Sequence, residues 1–136
     1  MGARTTGREA ALQMLFAMES AEHDADRAIH DFWREFPGDA EGRAYADELV
    51  RGVARNRDAL DAQIRNVSTH WRLERMTPID RNILRLGTFE LGFQDEVPRA
   101  VAIDEAVELA KRYGTDNSSS FVNGVLDKVA DLYKRE

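Results

Sequence analysis

His23, His30 and His70 are the only imidazoles in this chain, and no cysteine accompanies them. A metal site needs ligands that converge at helical or hairpin spacing. No His-x-x-x-His or Glu-x-x-His pair occurs, so no metal is expected. Nucleophilic catalysis needs a Ser, Cys or Lys activated by a neighbouring base. The serines stand at 20, 68 and 118 to 120, none of them in a strand-to-helix elbow. Gly87, Gly92 and Gly124 are isolated within helical patterns rather than grouped into a phosphate-cradling loop, and their spacing suits close helix packing. The 25 acidic residues permit a carboxylate pair, but most fall on faces that an amphipathic helix leaves in water. The expectation is a protein with no catalytic residues and no cofactor.

Two segments retain chemistry suited to binding. Arg4 and Arg8 are four apart and share a face of a helix that reaches the N-terminus, where free N–H groups also favour phosphate. On charge pattern alone, two terminal arginines are as readily explained as solubilising residues. The second segment runs from Lys111 to Phe121. It joins two cations to the polar turn 115–120 and an aromatic residue, a combination able to hold single-stranded nucleic acid by phosphate contact, base-edge bonding and stacking. The plainer reading makes Phe121 core and Ser118-Ser119-Ser120 a polar first turn.

These side chains must be positioned by helices. Thr6 and Glu9 have capping-box spacing, with Ala11, Leu12, Leu15 and Met18 on one face beyond them. A second helix starts near Asp24, carries Ile29, Phe32, Trp33 and Phe36, and stops at Pro37-Gly38. Asp39 caps a third, with Tyr45, Leu49, Val50 and Val53 inside; Leu60, Ile64 and Val67 continue the pattern past Asn56. The stretch from Ser68 to Leu73 reads as a connection between halves. Thr77-Pro78 supplies a cap and a first-turn proline for the stripe Ile79, Ile83, Leu86, Phe89 and Phe93. Pro98 opens the next helix, with Ile103, Ala106, Val107, Ala110 and Tyr113 inward, Glu108 and Arg112 spaced as an ion pair, and Gly114 as a C′ stop. Asp116 or Asn117 caps the last, whose stripe is Val122, Val125, Leu126, Val129 and Leu132.

The expectation is an all-α, single compact domain of six to seven helices in two three-helix subgroups, about 1–70 and 71–136. The 136-residue length suits one domain. No apolar run approaches the roughly 20 residues of a membrane span, and no signal-peptide core is present, so cytoplasmic residence is expected. A net charge of -6 opposes generic binding of polyanions, so any nucleic-acid contact must be local or shared with a basic partner.

The blocks RMTPIDRNILRLGTFEL, PRAVAIDEAVELAKRYG and SSSFVNGVLD follow one another between Arg75 and Asp127. Their order and wording closely resemble the C-terminal half of the NusB family. That resemblance implies two three-helix subgroups and a transcription antitermination factor without enzymatic activity. It further implies binding of boxA RNA in ribosomal RNA leader transcripts together with NusE, a basic protein of the small ribosomal subunit. The pair then joins the RNA polymerase elongation complex with other Nus factors, and some relatives also form homodimers. Carried over residue by residue, the RNA contacts fall on Arg4 and Arg8, with Thr5 and Thr6 where some relatives have arginine, and on Asn117, Ser118 and Phe121. The NusE contacts fall on Phe16 and Asp80; an acidic Asp80 suits a basic partner, and equally suits the positive end of its own helix. The competing expectation is a helical protein–protein adaptor with weak or lost RNA binding. The NusB-like domain attached to ribosomal RNA methyltransferases is disfavoured, because no cofactor-binding α/β unit follows.

Overall fold

The computed structural model describes residues 2–136. Among them are seven α-helices, one short 3₁₀ turn and no strand, so the fold is all-α as the periodicity required. The helices gather into two compact units, Met1–Arg55 and Asn56–Glu136.

The first unit holds α1 (Ala3–Ala21), α2 (Ala25–Glu35) and α3 (Ala40–Arg55). The capping box at Thr6 does not form. α1 begins a turn earlier behind Gly2, and Thr6 lies inside it with its hydroxyl donating to the Ala3 carbonyl at 3.0 Å. A threonine already in a helix bonds back to the preceding turn in this way. Ala11, Leu12, Met14 and Leu15 are buried against α3. Closest approach comes at Gly7, where a Cβ would stand 3.0 Å from the Gly42 carbonyl and 3.2 Å from Tyr45 Cδ2. Asp24 caps α2 by accepting from Arg27 N at 2.9 Å, and Asp39 caps α3 by accepting from Gly42 N at 2.6 Å. Both caps satisfy backbone donors that a helix start leaves free. Ile29 is buried, whereas Phe36 at the end of α2 is exposed.

The second unit holds α4 (Arg57–Val67), the 3₁₀ turn Leu73–Arg75, α5 (Pro78–Phe93), α6 (Arg99–Tyr113) and α7 (Ser118–Leu132). The units divide at Arg55, earlier than the boundary near 70 read from the sequence. Periodicity continues through Asn56, but α4 packs on α5 and α7, where Leu60 and Ile64 are fully buried. A polar contact fixes this packing. The Arg85 guanidinium donates Nε to Asp61 Oδ1 at 2.8 Å and Nη2 to Asp61 Oδ2 at 3.0 Å, and both residues are buried.

Thr77 caps α5, accepting from Asp80 N at 3.1 Å, with Pro78 in the first turn. Residues 82–91 are buried on every side of the helix, polar Asn82, Arg85, Thr88 and Glu90 included, so the apolar stripe understated its enclosure. The stripe ends missed in the other direction: Phe93, Tyr113 and Leu132 are exposed, because each lies at a helix end beyond the packed core. Gly87 admits Leu126, whose Cδ1 would lie 2.6 Å from an added Cβ, and Gly92 lies directly against the Tyr133 ring. Gly124 meets nothing within 4 Å, so it is not a packing glycine. Gly114 ends α6 as the C-cap itself, with φ -94° rather than the left-handed C′ geometry. The C-terminus is tied down by Arg135, which donates to the carbonyls of Leu91 at 2.6 Å and Val97 at 2.5 Å.

Candidate functional site

Four of the sequence candidates, drawn from two distant segments, line one groove in the second unit. Asp80, Asn117, Ser118 and Phe121 share it with Trp71, Arg75, Met76, Thr77 and Thr115, around a volume of about 390 Å³. One wall comes from the connection after α4 and the start of α5; the other comes from the α6–α7 loop and the first turn of α7.

Each wall is held by local bonding. Arg81 donates Nη1 to the carbonyls of Leu73 at 3.1 Å and Met76 at 2.8 Å, binding the 3₁₀ turn to α5. Ser68 Oγ donates to the Trp71 carbonyl at 3.0 Å. On the other wall, Ser118 is buried, and its Oγ accepts from Thr115 N at 2.9 Å. That bond closes the α6–α7 loop, and an added Cβ at Gly114 would meet Ser118 Oγ at 2.5 Å. Ser118 is thus a clasp that shapes the groove. Asn117 occupies the N-cap of α7 but forms no side-chain cap bond, contrary to expectation, which leaves its amide exposed to the groove.

The groove has one aromatic corner. Trp71 is 64% exposed, and its ring meets that of Phe121 edge-to-face at 6.3 Å between centroids. Phe121 itself is half-buried. Such an open aromatic pair offers a stacking surface for planar groups. Asp80 brings a negative charge to the opposite chemistry: its Oδ1 is buried without a hydrogen-bond partner. An oxygen enclosed in this way carries an unmet desolvation cost, while the charge of Asp80 adds a negative field to the groove. Trp71 was missed by the sequence reading, which treated Ser68 to Leu73 as a connection, and Arg75 was given no role; a tryptophan amid polar loop residues was the available signal.

The other candidates lie in the first unit. Arg4 is exposed near the start of α1, whereas Arg8 is buried, at 3%. Their guanidinium carbons stand 5.1 and 5.5 Å from the Tyr45 ring centroid. Phe16 presents a 40% exposed ring on α1. Lys111 and Arg112 are exposed at the end of α6, where Lys111 pairs with Glu108 at 3.5 Å, and they do not line the groove. Among the described residues, no group of three or more His, Cys, Asp or Glu stands together as a metal site. Among the described residues, no helix is long and apolar enough to cross a membrane.

Residues 5–131 match the model of the NusB family. The chain belongs to the NusB family. A relative from Sorangium cellulosum, transcription antitermination protein NusB, is 65% identical over 131 residues, covering 96% of this chain and 94% of its own. The protein of the same name from Myxococcus xanthus is 48% identical, with 96% of each chain covered. Among solved structures, NusB from T. maritima superposes with a TM-score of 0.87 at 38% identity, covering 96% of this chain and 92% of that one. A chain in a crystal structure of antitermination factors NusB and NusE in complex with double-stranded RNA gives 0.88 at 26% identity, covering 98% and 99%. The NusB fold and a place among antitermination proteins are therefore established for this chain.

Proposed function

We propose that this NusB-family chain binds boxA RNA of ribosomal RNA leader transcripts together with NusE, and that the pair helps RNA polymerase avoid premature termination. One observation carries the reading. The groove joins the family's RNA-facing loop, Asn117 to Phe121, to the expected partner residue Asp80 in a single surface with an open aromatic corner. Phe121 and Trp71 provide stacking faces, the Asn117 amide reads base edges, and Asp80 receives a basic group of NusE. Arg4, in the first unit, offers a separate phosphate contact of its own. The net charge of -6 opposes long-range attraction to a polyanion, which a basic partner offsets. The chain acts by assembly, in the cytoplasm, alongside other Nus factors, and catalyses no reaction.

The test is fluorescence anisotropy of labelled boxA RNA at fixed salt, with and without NusE. NusE raises the affinity, and Asp80→Lys removes that enhancement. Phe121→Ala removes about 1–3 kcal/mol, the worth of one stacked base, or roughly 5- to 150-fold. Equal affinity for boxA and scrambled RNA overturns the reading.

Burial of Arg8 favours one alternative, a protein–protein adaptor with weak or lost RNA binding. Salt separates the two, because phosphate contacts weaken log-linearly as salt rises and an adaptor shows no such slope. Sedimentation of the pure protein decides whether this member also forms homodimers.

A further inference from the structure

We propose that Tyr45 is a positioning residue for RNA binding, whose ring holds Arg4 in the orientation that meets a phosphate. The proposal rests on the reading that the start of α1 faces RNA, and it concerns how that contact is built.

The ring is a fixed platform. Tyr45 is 7% exposed on α3, and it lies under the gap that Gly7 opens in α1, with Tyr45 Cδ2 3.2 Å from where a Cβ would be. Any larger residue at position 7 would lift α1 off the ring. Gly42, on the facing helix, is equally close-packed, with the Thr6 hydroxyl 3.1 Å and the Ala3 carbonyl 3.4 Å from a built Cβ. The first two turns of α1 are therefore held rigidly over α3. Arg4 and Arg8 flank Gly7 in the sequence and both reach the same ring, at 5.1 and 5.5 Å. Guanidinium groups favour such stacking on an aromatic face.

The two arginines then divide the work. Arg8 is enclosed, and its charge stays beneath the surface as part of the local field. Arg4 remains exposed, with its guanidinium carbon over the buried ring at 5.1 Å. A free arginine must surrender rotamer freedom on meeting a phosphate; one already stacked surrenders less, which is the general advantage of preorganisation. The first turn of α1 itself contains no acidic residue; the carboxylate of Asp39, at the start of the facing helix, is engaged as the cap of α3.

The experiment measures boxA RNA affinity over a range of salt for the full-length protein, together with NusE affinity and thermal stability. Tyr45→Leu lowers RNA affinity roughly 3- to 10-fold and flattens the salt slope by about 0.7, the share of one phosphate on a single strand. Tyr45→Phe keeps the ring and stays within about twofold of wild type. In an Arg4→Ala background, Tyr45→Leu adds no further loss. NusE affinity is unchanged throughout. If Tyr45→Leu does not fold, Arg4→Lys serves instead: it keeps the charge, gives up the planar stack, and weakens binding several-fold. Wild-type affinity for Arg4→Lys, an unchanged slope in Tyr45→Leu, or additive losses in the double variant each overturn the proposal while leaving RNA binding intact. Absence of salt-dependent boxA binding in the wild type instead overturns the functional reading, and this inference with it.

Discussion

Replacing Asp61 with alanine should destabilise this protein more than most single changes, because it strands a buried cation. Arg85 is 4% exposed and Asp61 6%. The guanidinium spends Nε and Nη2 on the two carboxylate oxygens, at 2.8 and 3.0 Å, and Nη1 on Asn82 Oδ1 at 3.2 Å. Asn82 is itself anchored, donating Nδ2 to the Pro78 carbonyl at 2.8 Å. Removing the carboxylate takes the counter-charge and both oxygen acceptors from a side chain that water does not reach. Breaking one side of a buried pair in this way costs about 3–5 kcal/mol. For a chain of 136 residues unfolding together, each kcal/mol moves the midpoint by about 3–4 °C, so a fall of roughly 9–20 °C follows. Arg57 lies 3.8 Å from Asp61 on the exposed side and cannot substitute as an acceptor.

The double variant Asp61→Leu/Arg85→Met separates charge stranding from loss of contact. It removes both ions and keeps volume, so most of the stability should return, leaving a deficit of about 1.5 kcal/mol or less. Urea unfolding followed by circular dichroism measures all three proteins. Neither residue lines the groove, so RNA affinity of the folded variants should match wild type. A loss below about 1 kcal/mol in Asp61→Ala, or a double variant no better than the single, refutes the argument.

Three further outcomes can be checked. Gly87→Ala crowds Leu126 and should cost about 1–3 kcal/mol, whereas Gly124→Ala enters open space on α7 and should stabilise by up to about 1 kcal/mol in the same urea assay. Arg135→Ala frees the carbonyls of Leu91 and Val97 and should cost about 2 kcal/mol, with faster amide exchange in residues 130–136 as its local signature. Burial pushes the Tyr133 hydroxyl above the usual tyrosine range, so stability tied to its neutral form is complete below the unfolded value and falls as pH rises through the folded one. Ultraviolet titration should show a late-ionising tyrosine that vanishes in Tyr133→Phe; a titration curve identical in the two proteins contradicts this.

Helix identity was legible because it is local. The Asp24, Asp39 and Thr77 caps and the Pro78 start all formed where residue types required them. Errors arose where the outcome depends on neighbours far along the chain. Thr6 has a cap's spacing, yet the helix runs through it because Ala3 and Arg4 already form a turn. Gly87 and Gly124 look alike in sequence and differ only in whether Leu126 comes opposite. Burial of Arg8 likewise turns on Tyr45, 37 positions later. The groove was half-visible: its loop residues and Asp80 were expected, but nothing local joins them to Trp71. The resemblance supplied the residues; only packing supplied the surface.

On the proposed function, that surface would let an acidic protein serve a polyanion. With a net charge of -6, long-range attraction works against RNA, and each phosphate contact must overcome it. Affinity then has to come from contacts that do not depend on net charge. Stacking on Trp71 and Phe121 is of that kind, since base–aromatic contact gains about 1–3 kcal/mol per base whatever the field. Asp80 makes the opposite trade, repelling phosphate while its charge favours a basic protein. A groove that mixes stacking faces with a carboxylate is thus poorly suited to RNA alone and better suited to RNA delivered with a cationic partner. The salt slope of the isolated chain should accordingly be shallow, and it should steepen when NusE is added, because the partner then supplies the phosphate contacts.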